Sequence, residues 1–305
     1  MAKAGRGLDG ERAEIPLNYF KRGMLLVPEA PMLLALLLIG WAYGFPPAVS
    51  GLAVLVVALF MTRCFLLTSA SHELDNADYR KADRFGSAAL RMYPWSADAL
   101  TLQANSHLLQ GNDTSAEILL RKAMQVAPES ETVHSALAAT LLARGDFARG
   151  REHAMTAERL AAGSPHAAQH LSWLALHIDD DPEQTIRLID SFDPGRLEPR
   201  LQTPLLVLRG EAHLACGATA AARETLVSIK RLLPQCPVPQ QAELSYHLGR
   251  LHTLLGDEGG RHFRRSVDLD PQGRWAQPAW RAAVDETTCN RQSAVSHQRR
   301  GYADG

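Results

Sequence analysis

Between Met24 and Leu67 the sequence holds two long apolar stretches on either side of Phe45-Pro46-Pro47, and the fourteen residues from Met32 to Phe45 carry no charge. Crossing a bilayer takes about 20 mostly apolar residues, and each stretch reaches that length when its interfacial end is counted. A proline pair interrupts a helix, because it removes backbone donors and clashes with the preceding turn. The pattern therefore predicts two transmembrane helices forming a hairpin over 24–67. Glu29 and Arg63 would lie on the same side of it, where long side chains reach the headgroups. Gly40 and Gly44 add a G-x-x-x-G spacing that permits close helix approach, although glycine is common in membrane helices anyway.

Basic residues set the orientation. Lys3, Arg6, Arg12, Lys21 and Arg22 precede the first stretch, Arg80, Lys81 and Arg84 follow the second, and the turn between them is uncharged. By the positive-inside rule both ends face the cytoplasm, which predicts a multi-pass membrane protein with its remaining mass cytoplasmic. A signal peptide cleaved near Ser50 is the competing reading, but it is not ordinarily followed at once by another apolar run. A single re-entrant insertion is a further alternative, and it leaves the side of the remaining chain open.

Composition narrows the partners. Lysine and arginine number 32 against 33 acidic residues, a net charge of −1, so no basic field is available for nucleic acid. The four cysteines, Cys64, Cys216, Cys236 and Cys289, lie far apart without C-x-x-C spacing. That argues against a zinc site or a disulfide framework.

After the apolar region a pattern recurs every 34 residues. In 97–130 a small residue, Ala104, stands eighth, Gly111 fifteenth, Ala116 twentieth, Leu120 twenty-fourth, Ala123 twenty-seventh and Pro128 thirty-second. Residues 203–236 repeat it with Gly210, Gly217, Ala222, Leu226 and Pro234, and 131–164 keep Leu137, Ala138, Gly145 and Ala157. An earlier repeat is expected with its first helix at about 63–76, so that the second membrane helix continues into the repeats. Residues 165–199 look degenerate, and 240–273 fit only with a turn about two residues short. This spacing resembles the tetratricopeptide (TPR) repeat, in which paired helices cross at small residues. The resemblance implies an all-α fold: two N-terminal transmembrane helices followed by an α-solenoid of five to six helical hairpins. The expected organisation is a cytoplasmic segment at 1–23, the membrane hairpin at 24–67, the solenoid with its cap at 68–284, and a disordered tail at 285–305. Trp275 to Val284 is expected to pack as the cap that a terminal repeat needs.

Catalytic signatures do not emerge. The sequence lacks G-x-x-x-x-G-K-[ST], G-x-S-x-G and H-E-x-x-H. His166 and His170 share a helical face without a third ligand at suitable spacing. Asp179-Asp180-Asp181 before Pro182 reads as a helix N-cap. Trp173, Trp275 and Trp280 read as core or cap aromatics. No catalytic residue, metal or cofactor is expected, and the chain is expected not to be an enzyme.

In TPR proteins the concave groove is lined by fixed positions of the first helix of each pair. The resemblance assigns these here to Asp98, Thr101, Asn105, Leu108 and Leu109, then Thr132, Ser135 and Leu142, then Val207, Glu211 and Leu214. Some members clamp a partner's carboxylate with a Lys and Asn pair; here Asn105 is present but Thr101 replaces the lysine. An apolar groove suits an amphipathic helix or apolar peptide instead. The layout of two membrane helices before cytoplasmic repeats also resembles the inner-membrane scaffold subunit of bacterial Pel-type exopolysaccharide synthases. That resemblance implies that the membrane is the bacterial inner membrane, and it implies two protein partners, a membrane subunit that senses cyclic di-GMP and a glycosyltransferase. The alternative is a cytochrome c maturation or other envelope-assembly scaffold with periplasmic repeats, against which the short turn between the apolar stretches counts.

Overall fold

The computed structural model describes residues 29–44, 46–192 and 194–286. The expected segment 1–23 and the tail beyond residue 286 lie outside them, as do residues 24–28 of the first apolar stretch. The chain divides into two compact units at Met61 and Thr62.

In the N-terminal unit, α1 (Glu29–Tyr43) precedes α2 (Pro47–Asp75), with Gly44 in the left-handed region at φ 76°. Leu36 and Val56 are buried, whereas Trp41, Tyr43, Val54 and Met61 stand exposed. Among the described residues α2 alone is long and apolar enough to cross a membrane, by length and composition. Its 29 residues extend about 44 Å, more than a hydrocarbon core of roughly 30 Å. The 15 described residues of α1 fall short of that length, so one such helix is seen where the sequence predicted two. Arg63 falls in the second unit. It is buried there with its guanidinium 5.7 Å from the centroid of the Tyr93 ring.

The second unit is a succession of helical hairpins. The end of α2 pairs with α3 (Tyr79–Met92), then α4 (Ala97–Leu109) with α5 (Asp113–Val126), and α6 (Glu131–Ala143) with α7 (Phe147–Leu160). There follow α8 (Pro165–His177) with α9 (Pro182–Asp190), α10 (Pro199–Ala215) with α11 (Thr219–Leu232), and α12 (Val238–Leu254) with α13 (Gly260–Leu269). A last helix, α14, covers 276–286, so residues 285 and 286 are helical where the tail was expected to begin. Two boundaries differ from expectation. Helix α10 starts at Pro199, because Pro204 is accommodated inside it, and the last repeat is short in its second helix, not its turn, since α13 has 10 residues against 14 in α5.

Local chemistry explains the hairpins. Ser96, Ser130, Asp146, Ser164 and Asp181 each accept a backbone N–H three residues on, satisfying donors that a helix start leaves free. The first helix of a pair ends in a Schellman motif. At the end of α4, Gly111 N–H donates to Leu108 at 3.0 Å and Asn112 N–H to His107 at 2.8 Å, with Gly111 at φ 78°. Gly145, Gly217 and Gly256 occupy the same left-handed place. In the first hairpin the place falls to Ala77, at φ 61°.

Apolar residues between the paired helices form the core. Leu100, Ala104, Leu120, Ala123, Val133 and Leu137 make one cluster, and Leu206, Leu226, Ile229, Leu244, Leu248 and Leu251 another. In the last pair the Phe263 ring packs so closely on Gly249 that a Cβ there would lie 2.5 Å from it. Phe263 also packs with Ala279 and Ala283 of α14, which thereby caps the final repeat. Ion pairs cross from one hairpin to the next: Arg223 reaches Asp257 at 2.8 Å, Arg151 reaches Asp179 at 2.7 Å, and Arg144 reaches Glu117.

The first and last repeats of this unit also meet. Tyr79 donates its hydroxyl hydrogen to Asp270, 191 residues away. Arg274 donates its backbone N–H to the Leu109 carbonyl at 2.7 Å and its guanidinium to that of Leu108, while pairing with Asp113 at 3.5 Å. The end of α4 is thus capped by the far end of the solenoid.

Candidate functional site

The first helices of the later hairpins turn one face toward a common cavity of about 500 Å³. Helix α8 contributes Trp173 and His177, α10 Pro204, Val207 and Glu211, and α12 Gln240, Glu243, His247 and Arg250. Phe147 at the start of α7 and Trp275 after α13 close the sides. Within each helix these positions recur every three or four residues, so each set forms one stripe.

Glu211 is the electrostatic centre. Its side chain is 7% exposed, with His177 Nε2 at 3.3 Å, His247 Nδ1 at 3.4 Å and Arg250 Nη1 at 3.5 Å. Burial opposes its charge, yet the hydrogen bonds from His177 and His247 and the Arg250 guanidinium outweigh it. They hold the carboxyl well below the usual carboxylate range. Aromatic rings surround this cluster. Trp173 lies 4.9 Å from His177 and 6.0 Å from Phe147, while Trp275 stacks on Tyr246 at 4.9 Å and meets His247 edge-on at 5.1 Å. One turn before His247, Glu243 also faces the cavity, and burial pushes its carboxyl up against the opposing pull of His247 and Arg274.

The residues expected in the groove divide between two environments. Val207 and Glu211 line the cavity, and Leu214 packs against the core cluster of Leu226 and Leu251. In the earlier repeats Leu108 and Leu109 are engaged through their carbonyls by Arg274, which covers the C-terminal end of α4. Leu142 is buried over Gly150 of its own hairpin, where its Cδ2 occupies the space of a Cβ, and so does not face the groove. Thr101 and Ser135 are buried, Asn105 is half-buried, and Asp98 and Thr132 are exposed in the first turns of α4 and α6. His170 faces the Ser135 backbone, and burial depresses its pKa to about 4, with the neighbouring His166 adding to the effect.

Trp173 and Trp275, read from sequence as core or cap, line the cavity, whereas Trp280 is exposed on α14. Asp181 is the N-cap that the sequence indicated, Asp179 pairs with Arg151, and Asp180 sits at φ 53°. Glu243, His247 and Arg250 were not singled out from the sequence. Their spacing of four and three residues along one helix was the available signal, but the shortened last repeat obscured the register. Among the described residues no group of three or more His, Cys, Asp or Glu is placed to hold a metal ion.

The sequence matches no protein-family model, and no curated protein matches it. Among solved structures it is similar to the Cut9–Hcn1 hetero-tetramer of the APC/C, at 15% identity and a TM-score of 0.54, over 90% of this chain and 57% of that one. It is also similar to a TPR protein of Thermus thermophilus, at 14% identity and a TM-score of 0.52, over 63% of this chain and 98% of that one. A Thermobaculum terrenum O-GlcNAc transferase aligns at 25% identity but a TM-score of 0.42, over 47% of this chain and 28% of that one. The chain thus spans little more than half of the matched APC/C chain and under a third of the transferase. The likeness establishes a TPR-type solenoid and leaves function to be argued from the site.

Proposed function

We propose that this protein is a membrane-anchored scaffold whose solenoid docks a segment of a partner protein. The observation that carries the reading is the cavity walled by Phe147, Trp173 and Trp275 on the inner face of the later hairpins. An apolar cleft with a few fixed polar groups is suited to binding a side chain or short segment. Glu211, held ionised by hydrogen bonds from His177 and His247 and by the Arg250 guanidinium, supplies one of those fixed polar groups.

The anchor in this reading is a hairpin made by α2 and the first apolar stretch, with the repeats cytoplasmic. The length of α2, the apolar surface of α1 and the basic residues flanking both stretches support it. The finer assignment is the scaffold of a Pel-type exopolysaccharide synthase, joining a cyclic-di-GMP-sensing membrane subunit to a glycosyltransferase. Its support is the order of parts, apolar helices first and repeats after. Tethering raises the local concentration of partners toward the millimolar range for a short reach, so assembly needs no chemistry from this chain.

Cys216 is exposed on the solenoid and reports its side of the membrane. In a variant keeping only this cysteine, a membrane-impermeant maleimide should label lysed cells but not intact ones. Labelling of intact cells would overturn the cytoplasmic assignment in favour of envelope assembly. For the partners, co-expression with the two synthase subunits should give co-purification that is lost with Trp173→Ala plus Trp275→Ala. Recovery unaffected by that pair would remove the cavity from the docking surface.

A further inference from the structure

Glu243 differs from the other ionisable groups around the cavity. Glu211 is engaged by His177, His247 and Arg250, and Arg274 is engaged by Asp113 and by the carbonyls of Leu108 and Leu109. Among the described residues none donates a hydrogen bond to Glu243 or pairs with it within salt-bridge distance, yet its side chain lines the cavity. Burial of that carboxyl works against its charge, and the long-range pull of His247 and Arg274 offsets this only in part. Arg250 faces Glu211 and Arg274 pairs with Asp113, so both guanidinium groups nearest Glu243 are already engaged and its carboxyl has no close cation.

The walls beside it are aromatic. Trp275 and Trp173 stand half-buried, Phe147 is 37% exposed, and all three line the cavity. Rings of this kind attract a cation held over their faces, tryptophan most strongly, and the attraction grows when water is excluded. An anion would meet an unpaired carboxylate, and a neutral apolar side chain would leave that carboxylate buried without a partner. A cation alone satisfies both the ring faces and Glu243.

Resting on the scaffold reading above, we propose that the cavity is a pocket for one basic side chain, lysine or arginine, presented by the partner protein, with Glu243 as its counter-ion and Trp173 and Trp275 as its walls. The flanking apolar surface of Val207, Leu208 and Leu244 takes the aliphatic stem of that side chain and its neighbours. Specificity follows from the charge, because an uncharged isostere would strand the carboxylate.

The test uses the detergent-purified full chain and random dodecapeptides displayed on phage, followed by anisotropy titration of the recovered peptides. Recovered peptides should carry a lysine or arginine at one fixed position. Replacing it by norleucine or citrulline should weaken binding by about tenfold to a hundredfold, the range of a charge-assisted hydrogen bond. Glu243→Gln should weaken the parent peptide by the same factor and make the norleucine or citrulline change nearly silent. Because Glu243→Gln removes an unpaired charge, its thermal unfolding should match that of the wild type, which separates lost recognition from lost fold. Peptides that lose binding with Trp173→Ala but bind wild type and Glu243→Gln equally would overturn the basic pocket and leave the scaffold reading standing. If Trp173→Ala and Trp275→Ala affect no recovered peptide, both readings fall. A gain in affinity on deleting residues 287–305, which include Arg291, Arg299 and Arg300, would assign the pocket to the chain's own tail and overturn an external partner.

Discussion

Tyr79 and Asp270, 191 residues apart in sequence, share a buried hydrogen bond that joins the first hairpin of the solenoid to the last. Burial raises the Tyr79 hydroxyl far above its ordinary pKa, the Asp270 charge adding to this, and burial also raises Asp270 against the pull of that bond. The bond adds to the backbone N–H groups of Gln272 and Gly273 in holding the Asp270 carboxylate. Tyr79→Phe should destabilise the protein by about 1–2 kcal/mol. Thermal unfolding of the purified chain should show it as a drop of roughly 2–8 °C. An unchanged midpoint would mean that the repeats do not depend on this closure.

Ala77 occupies the left-handed position that glycine fills in the corresponding turns at Gly111, Gly145, Gly217 and Gly256. A Cβ there costs about 1 kcal/mol. Ala77→Gly should therefore stabilise the protein, and Gly111→Ala should destabilise it by a similar amount, both read from denaturant midpoints. The same sign for the two substitutions would contradict the geometry.

Glu211 and Glu243 share a cavity but should respond unequally to loss of their charge. Glu211→Ala leaves His177, His247 and Arg250 facing a vacated carboxylate site and should cost about 2–3 kcal/mol of stability. Glu243→Gln should cost almost nothing. Paired urea titrations check the contrast, and equal losses would show that Glu243 has a structural partner.

Acid should weaken the fold through buried histidines. Burial lowers both His170 and His262 to about 4, with His166 beside the first and His252, stacked at 5.0 Å, beside the second. Lys230, Arg261 and Arg265 also depress His262. Between pH 6.5 and 4 the unfolded chain binds more protons at these sites than the folded one, so stability rises with pH across that window. Moving from pH 7 to pH 5 should cost on the order of 1 kcal/mol per histidine, allowing for their partial exposure. His262→Gln should flatten part of this slope. Glu211 has the opposite chemistry: its folded pKa is depressed, so its contribution is present above the usual glutamate value and disappears only in strong acid.

The repeat architecture was legible because its determinants are local. Glycine at the fifteenth position and small residues where helices cross act within a few residues of themselves, so spacing located most of the hairpins, though residues 165–199 read as degenerate. Boundaries failed where tertiary packing overrode local signals, as at Pro204 inside α10 and at the shortened α13, whose Phe263 needs Gly249 beneath it. The site was only half legible. Val207 and Glu211, expected in a groove, line the cavity, but nothing local indicates that Glu211 gathers His177 from α8 with His247 and Arg250 from α12. Nor does the sequence disclose that Arg274 donates to the Leu108 and Leu109 carbonyls, or that Trp275 becomes a wall of the cavity. The sequence by itself determined helices, turns and their order, since hydrogen bonding and steric preference act between near neighbours. The tertiary structure alone decided which side chains share the cavity and that Arg274 caps α4, because both bring together groups from hairpins far apart in sequence.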